Sequence, residues 1–178
     1  EQAGRAEQTG DRDRGDRPRH RLRRTLRLSP CRFRLRLQRP FRQALSARGL
    51  LWAVGLSRRQ NVYPADVALA FPVAKVGKPR KYHIPEQPAV SAAAALSDAK
   101  WQRVSWRRGT KGRLACLFAA RRVRVADGHK HRMRDHIMQR MPGDEVWLVG
   151  ERRSTGEQKY YVSNLPADAN LKTLAATI

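Results

Sequence analysis

The sequence predicts an α+β domain over residues 40–178, and three segments carry this prediction. The first is a β-hairpin at 145–164, in which side chains alternate with a period of two before a turn at Gly156 and a returning run. The second is a helix followed by an apolar strand at 40–56. The third is an amphipathic helix that begins after Pro166. Together these segments mix helices and strands, which predicts the α+β class.

The first 39 residues form a separate arm that differs in composition from the domain. Residues 1–16 are polar without an apolar face and are predicted to be disordered. Residues 17–39 interleave arginine with single leucines, and no lysine precedes Lys75. Three interpretations stay open: an arginine-rich arm that orders on a phosphate backbone, a solvated tail, or a misread frame. The alternation at 32–37 suits either an edge strand or the arm that orders on a phosphate backbone.

The misread-frame hypothesis rests on codon composition. Arginine, leucine and proline codons dominate when GC-rich DNA is translated out of frame. With GC-rich codons of our choosing, a shift of one nucleotide turns Cys31–Arg39 into a glycine- and serine-containing loop that leads into Pro40. A single long frame in the gene, with a matching upstream protein in the same phase, would contradict this hypothesis.

Elements between residues 40 and 100 follow from local signals. Pro40 opens a short helix and Gly49 ends it, because proline suits a first helical turn and glycine a C-terminal cap. LLWAVGL at 50–56 is a continuous apolar run and predicts a buried strand. The rest of this part is predicted as a loop through Arg58, Arg59 and NVYP, an exposed basic loop at 71–85, and a helix at 91–100 with Ser91 as N-cap.

Residues 101–144 are richer in strand signals. WQRVSW at 101–106 alternates and predicts a strand, and 107–112 predicts a basic turn. Residues 113–128 predict a long strand that ends at a turn formed by Asp127 and Gly128. Residues 129–143 are mixed, with a helical centre. After the hairpin, Leu171, Leu174 and Ile178 lie on one face of the predicted last helix.

A net charge of +23 is the strongest indication of a partner. Such a surplus repels itself unless it meets a polyanion, so nucleic acid is the first candidate and an anionic membrane surface the second. Trp101–Lys111 is the best candidate segment, where Trp106 either stacks on a base or packs in a core, and the segment is either a nucleic-acid contact or a plain basic strand and turn. The predicted DNA-binding residues are Arg58, Arg59, Arg103, Trp106, Arg107, Arg108 and Lys111.

No pattern predicts catalysis or a bound metal in this chain. His129, His131 and His136 lie among cations, which oppose metal binding, and a solvated loop is expected there. The acids are scattered, and no three are placed to hold the two metal ions that phosphoryl transfer uses. Cys31 and Cys116 lie far apart, which favours a reduced, cytoplasmic chain. No apolar run reaches the roughly 18–20 residues that span a bilayer.

Several stretches carry a family resemblance that covers about four-fifths of the chain. Residues 40–178 resemble part of the DDE-type transposases of bacterial insertion sequences, in the subgroup whose ribonuclease H-like core is interrupted by a β-rich insertion. The stretches are PFRQALSARGLLWAVGL, RRQNVYPADVAL, WQRVSWRRGTKGRL, FAARRVRVADG and EVWLVGERRSTGEQKYYVSNLPADANLKTLAATI.

The resemblance implies DNA strand transfer at transposon ends by two Mg²⁺ ions held by Asp, Asp and Glu. None of these three acids matches a residue of this sequence, and the Glu is expected in the last helix beyond Ile178. We therefore expect an incomplete core with most of the insertion, no metal in this chain, no strand-transfer activity and residual nonspecific DNA binding. The alternative is a small basic RNA- or DNA-binding protein without catalysis. Oligomeric state and target sequence are left undetermined.

Overall fold

An eight-stranded mixed sheet forms the centre of the part of the chain that the structure describes. The computed structural model describes residues 25–28, 39–71, 82–110, 112–132 and 138–178. Along the sheet the strand order is β1-β2-β10-β9-β8-β3-β6, with β7 also paired to β8, and β4 and β5 form a separate ribbon. The elements are β1 Thr25–Leu28, α1 Arg39–Ala47, β2 Leu51–Leu56, β3 Asn61–Pro64, β4 Leu69–Ala70, β5 Ile84–Pro85, β6 Val90–Ser91, α2 Ala92–Ala95, β7 Gln102–Gly109, β8 Gly112–Arg132, β9 Met138–Arg152, β10 Gln158–Ser163 and α3 Leu171–Thr177.

The predicted helix and strand at 40–56 are confirmed as α1 and β2. Gly49 takes a φ of 65°, and Leu50 N–H donates to the Leu45 carbonyl at 3.1 Å, so a left-handed glycine ends the helix. β1 pairs with β2 in parallel, and α1 lies between them in the chain. The arm was predicted to be disordered, whereas Thr25–Leu28 form a strand. The predicted edge strand at 32–37 lies outside the described residues.

The predicted hairpin at 145–164 is confirmed and lies in the middle of the sheet. β9 and β10 pair antiparallel, and Gly156 takes a φ of 82° in the turn. β10 also pairs with β2, so the hairpin joins the parallel β1–β2 pair to the long strands. Asn164 fixes this junction: its side-chain oxygen accepts from Trp52 N–H at 2.8 Å and its amide nitrogen donates to the Leu50 carbonyl at 2.9 Å.

β8 and β9 correct the prediction for residues 126–143. The expected turn at Asp127 is a bulge, because Ala126 pairs with Pro142 and Lys130 with Arg140, which leaves three residues of β8 opposite one residue of β9. Residues 129–132 and 138–143 are strand, so the expected helical centre is wrong at these positions. β8 and β9 pair at twelve registered positions, and this pairing stabilises the strand conformation more than the weak local pattern favours a helix.

Two smaller predictions are also corrected by tertiary pairing. NVYP was predicted as loop, but it is β3, whose Val62 and Tyr63 are fully buried between β8 and β6. Arg107 and Arg108 were predicted in a turn, but β7 continues to Gly109 and Arg108 pairs with Arg113. The helix predicted at 91–100 is confirmed only over four residues, with Ser91 as its N-cap.

The sheet buries side chains on both faces, because neighbouring residues of a strand point to opposite sides. One face, here called the α1 face, packs Leu148 and Val162 beneath α1 and α2. The other, the α3 face, packs Val149 and Tyr161 against α3. The predicted last helix is thus confirmed, and Leu174 is its buried anchor. None of the described helices is long and apolar enough to cross a bilayer.

Candidate nucleic-acid interface

The residues predicted to bind DNA fall on two separate elements. Arg58 and Arg59 are exposed in the turn between β2 and β3, where the Arg58 carbonyl accepts from Ala93 N–H at 3.1 Å. Arg103 is exposed on β7, and Trp106 lies at a break in the register of the same strand. The rest of the predicted set is on β7 (Arg107 and Arg108) or outside the described residues (Lys111). The DNA-binding role of all seven stays a prediction.

A different basic site is assembled between α1 and the β8–β9 hairpin. This α1–hairpin cleft has a volume of about 880 Å³. Three segments that are distant in sequence form its walls: the start of α1, the turn before β3, and the hairpin around the bulge. Its lining residues are Arg39, Pro40, Gln43, Gln60, Ala126, Asp127, Gly128, His129, Lys130 and Arg140.

The bulge in β8 aims Asp127 at α1. The Asp127 carboxylate accepts a hydrogen bond from the Arg42 guanidinium and forms an ion pair with it. Gly143 on β9 makes room for this carboxylate, because a Cβ at position 143 would overlap an Asp127 oxygen. A Cβ at Gly128 would lie 2.8 Å from the Met141 carbonyl oxygen. Two glycines therefore permit the close backbone approach on which the bulge depends.

Arg42 is a buried cation whose hydrogen-bonding capacity is only partly used. Its side chain is 6% exposed and its guanidinium lies 5.8 Å from the centre of the Trp52 ring. Burial lowers the pKa of Arg42, Asp144 raises it and Arg39 lowers it, yet a guanidinium stays charged at neutral pH. Its Nε and Nη1 atoms and Oδ1 of Asp127 are buried without a hydrogen-bond partner.

The outer walls of the cleft are also cationic. Lys130 and Arg140 are registered directly opposite each other on β8 and β9 and are both exposed. Like charges at opposed positions repel, so this pair destabilises the free hairpin and favours an anionic partner. Arg39 lies across the cleft, half-buried, with its guanidinium 3.9 Å from Asp144. Sequence reasoning missed this site, because Arg39 was assigned to the arm and Lys130 to a solvated loop.

The α3 face carries a second buried charge, Glu151, whose oxygens are both paired. The Tyr161 hydroxyl donates to one oxygen at 3.0 Å, and Arg153 Nε donates to the other at 2.8 Å. Burial, then the Glu151 charge and hydrogen bond, raise the pKa of Tyr161 above its usual range. Burial, followed by Glu151, also raises the pKa of the nearby free thiol Cys116, which disfavours the reactive thiolate. This cluster is structural.

The described residues do not fit a metal centre. Among them, no group of three or more His, Cys, Asp or Glu side chains converges. The acids near the cleft are neutralised by arginines: Asp127 by Arg42 and Asp144 by Arg39. A cleft with this charge repels divalent cations and attracts anions.

Comparison with known proteins gives a family match over part of the chain. Residues 38–113 match the family model described as DDE superfamily endonuclease. The resemblance to DDE-type transposases is confirmed. The match covers less than half of the chain, from α1 to the first residues of β8. The mixed sheet and the three helices of the described residues agree with the predicted α+β class. No curated protein and no solved structure matches the chain.

Proposed function

We propose that this chain is a scaffold and DNA-binding part of a DDE-type transposase. The proposal rests on the family match, which begins at residue 38 and includes α1 and β2. In our assignment, β1, α1, β2 and α3 belong to a ribonuclease H-like core. The parallel β1–β2 pair with α1 between them supports this assignment. The strands from β3 to β9 then form the β-rich insertion, and β10 returns the chain to the core beside β2.

The proposed activity of this chain is nonspecific binding of DNA through charge. Its net charge of +23 offers many contacts to phosphates, and each contact releases condensed counterions. We propose no cleavage or strand transfer by this chain, because the described residues contain no convergent set of acids for metal ions. In the full-length family, DNA at transposon ends is the proposed partner, and Asp, Asp and Glu would hold the Mg²⁺ ions.

Salt dependence tests the proposed binding. Affinity for a 20-base-pair duplex, measured by fluorescence anisotropy between about 50 and 200 mM salt, is expected to fall with a log–log slope of several units. An affinity that does not change with salt, or no binding at the lowest salt, would contradict charge-driven binding. A Mg²⁺-dependent nicking assay on supercoiled DNA is expected to show no product. Robust nicking by the purified chain would overturn the proposed lack of catalysis.

One observation favours the alternative, an RNA-binding protein without catalysis. The exposed Tyr82 ring lies 5.1 Å from the His131 ring, and exposed aromatic rings can stack on unpaired bases. Competition between single-stranded RNA and duplex DNA of equal phosphate number separates the two proposals. Preference for the duplex, or equal affinity, supports transposase-type DNA binding, and a strong preference for single-stranded RNA supports the alternative.

A further inference from the structure

We propose that the α1–hairpin cleft binds the phosphodiester backbone of DNA, with Arg39, Lys130 and Arg140 as the contacting cations. The inference rests on the proposed DNA binding and deepens it, because it places the backbone in a site that no sequence motif indicates. The three contacting side chains come from α1, β8 and β9, and all three line the cleft. None of the described residues of the predicted segment Trp101–Lys111 is part of its lining.

Charge is the first argument for a phosphate ligand. Three cations line the cleft, and the buried Arg42 lies behind Asp127, while the nearby acids are Asp127 and Asp144. Both acids are already paired with arginines, so Lys130 and Arg140 keep their charge available to a ligand. Phosphate oxygens supply the negative charge that this pair lacks, and arginine offers them several donors in one plane.

Hydrogen-bonding groups are the second argument. Gln43 and Gln60 add uncharged amide donors to the lining. The first turn of the nine-residue helix α1 faces the cleft through Arg39 and Pro40, and a helix N-terminus favours anions. Arg42, with two buried nitrogens that have no partner, adds positive charge directly behind the wall. Protein–DNA complexes use these groups to hold phosphates.

The lining also argues against other ligand classes. Small-molecule sites are lined mainly by apolar and aromatic side chains, whereas the described lining contains no aromatic residue other than His129. A divalent cation would meet Arg39, Lys130 and Arg140, which repel it. With a volume of about 880 Å³, the cleft is wide enough for more than a single inorganic ion. A stretch of sugar–phosphate backbone matches both its charge and its size.

A pair of double variants with equal charge change tests the site. Lys130→Gln with Arg140→Gln removes two cleft cations, and Lys100→Gln with Lys172→Gln removes two exposed cations that are not among the lining residues of the cleft. Affinity for the same duplex is measured by anisotropy across a salt series, and circular dichroism melting verifies that each variant is folded. For the cleft variant we expect about a tenfold weaker affinity and a salt slope lower by about two, with less than about a threefold change for the control.

Equal losses of affinity in the two double variants would overturn the proposal that the cleft binds the DNA backbone. They would indicate binding through charge that is spread over the surface. A third variant, Gln43→Glu, adds a negative charge to the cleft wall without removing a cation. It is expected to weaken DNA binding several-fold with an unchanged melting curve, and unchanged affinity in this folded variant would also contradict the inference. If the unmodified chain binds no DNA at low salt, the proposed function itself fails, and this outcome is distinct from equal losses.

Discussion

Arg42 and Glu151 are two buried charges that lie on opposite faces of the same sheet. Arg42 is 5% exposed on the α1 face, and Glu151 is 4% exposed on the α3 face. Glu151 is held by Tyr161 and Arg153, and each of its oxygens has a partner. Arg42 binds Asp127 but leaves two nitrogens unpaired. Both side chains are buried, but within the described residues only Glu151 has a hydrogen-bond partner for each of its charged atoms.

This difference separates a structural site from a binding site. A buried charge whose polar atoms all have hydrogen-bond partners has no free donor or acceptor for a ligand. A buried charge beside an open cleft, with further cations at the rim, attracts an opposite charge from solution. In our proposal the α1 face is therefore the binding side of the sheet, and the Glu151 cluster on the α3 face is structural.

The largest effect is expected when the Arg42–Asp127 pair is broken. Asp127→Ala leaves the guanidinium buried without its counter-ion, so we expect the free energy of unfolding to fall by about 3–5 kcal/mol. Urea denaturation at neutral pH measures this loss. The matched control is Asp98→Ala, which removes an exposed carboxylate 3.0 Å from Arg121 and is expected to leave the transition unchanged. Equal changes in the free energy of unfolding of the two variants would show that the buried Arg42–Asp127 pair stabilises the fold no more than an exposed pair does.

An intermediate effect is expected at Gly150, next to Glu151 on β9. Because alternate residues change faces, position 150 points to the α1 face, where a Cβ would lie 2.7 Å from the Trp101 ring and 2.9 Å from Leu96. Gly150→Ala should destabilise the fold by about 1–3 kcal/mol through overpacking. Gly156→Asn is the control, because position 156 has open space and asparagine tolerates its φ of 82°. A thermal melt of Gly150→Ala that matches the unmodified chain would contradict this packing.

The smallest effect is expected from Tyr161→Phe, which removes one hydrogen bond from Glu151. Arg153 still pairs with the carboxylate, so a loss of about 1 kcal/mol is expected at pH 7. Tyr82→Phe, an exposed ring, is the control and should have no effect.

Tyr161→Phe also changes the pH dependence of stability. An unfolded tyrosine ionises near pH 10, whereas burial and Glu151 raise the pKa of the folded Tyr161. Above about pH 10 the unfolded state therefore binds fewer protons than the folded state, and stability falls as the pH rises. Tyr161→Phe removes this loss, so its stability deficit should narrow between pH 7 and about pH 11 in urea titrations. A constant deficit would indicate that the Tyr161 pKa is not raised.

Local sequence signals were sufficient where residues within an element determine its start, its end or its turn. The helix α1 was predicted from Pro40 and Gly49, and the hairpin from its alternation and Gly156, and both are confirmed. These signals act within a few residues, since they depend on backbone φ angles and on side-chain period. β3 shows the limit, because NVYP gains its strand conformation from β8 and β6, which lie far along the chain.

The α+β class, the basic charge and the family resemblance can all be read from the amino-acid sequence, because composition and local pattern are properties of the linear chain. The place where that charge is concentrated depends on the folded structure. Arg39, Lys130 and Arg140 meet because a three-residue bulge in β8 turns the hairpin toward α1 and because Asp127 binds Arg42 across the gap. Contacts between residues 85 positions apart follow from strand register and packing, which no local signal encodes.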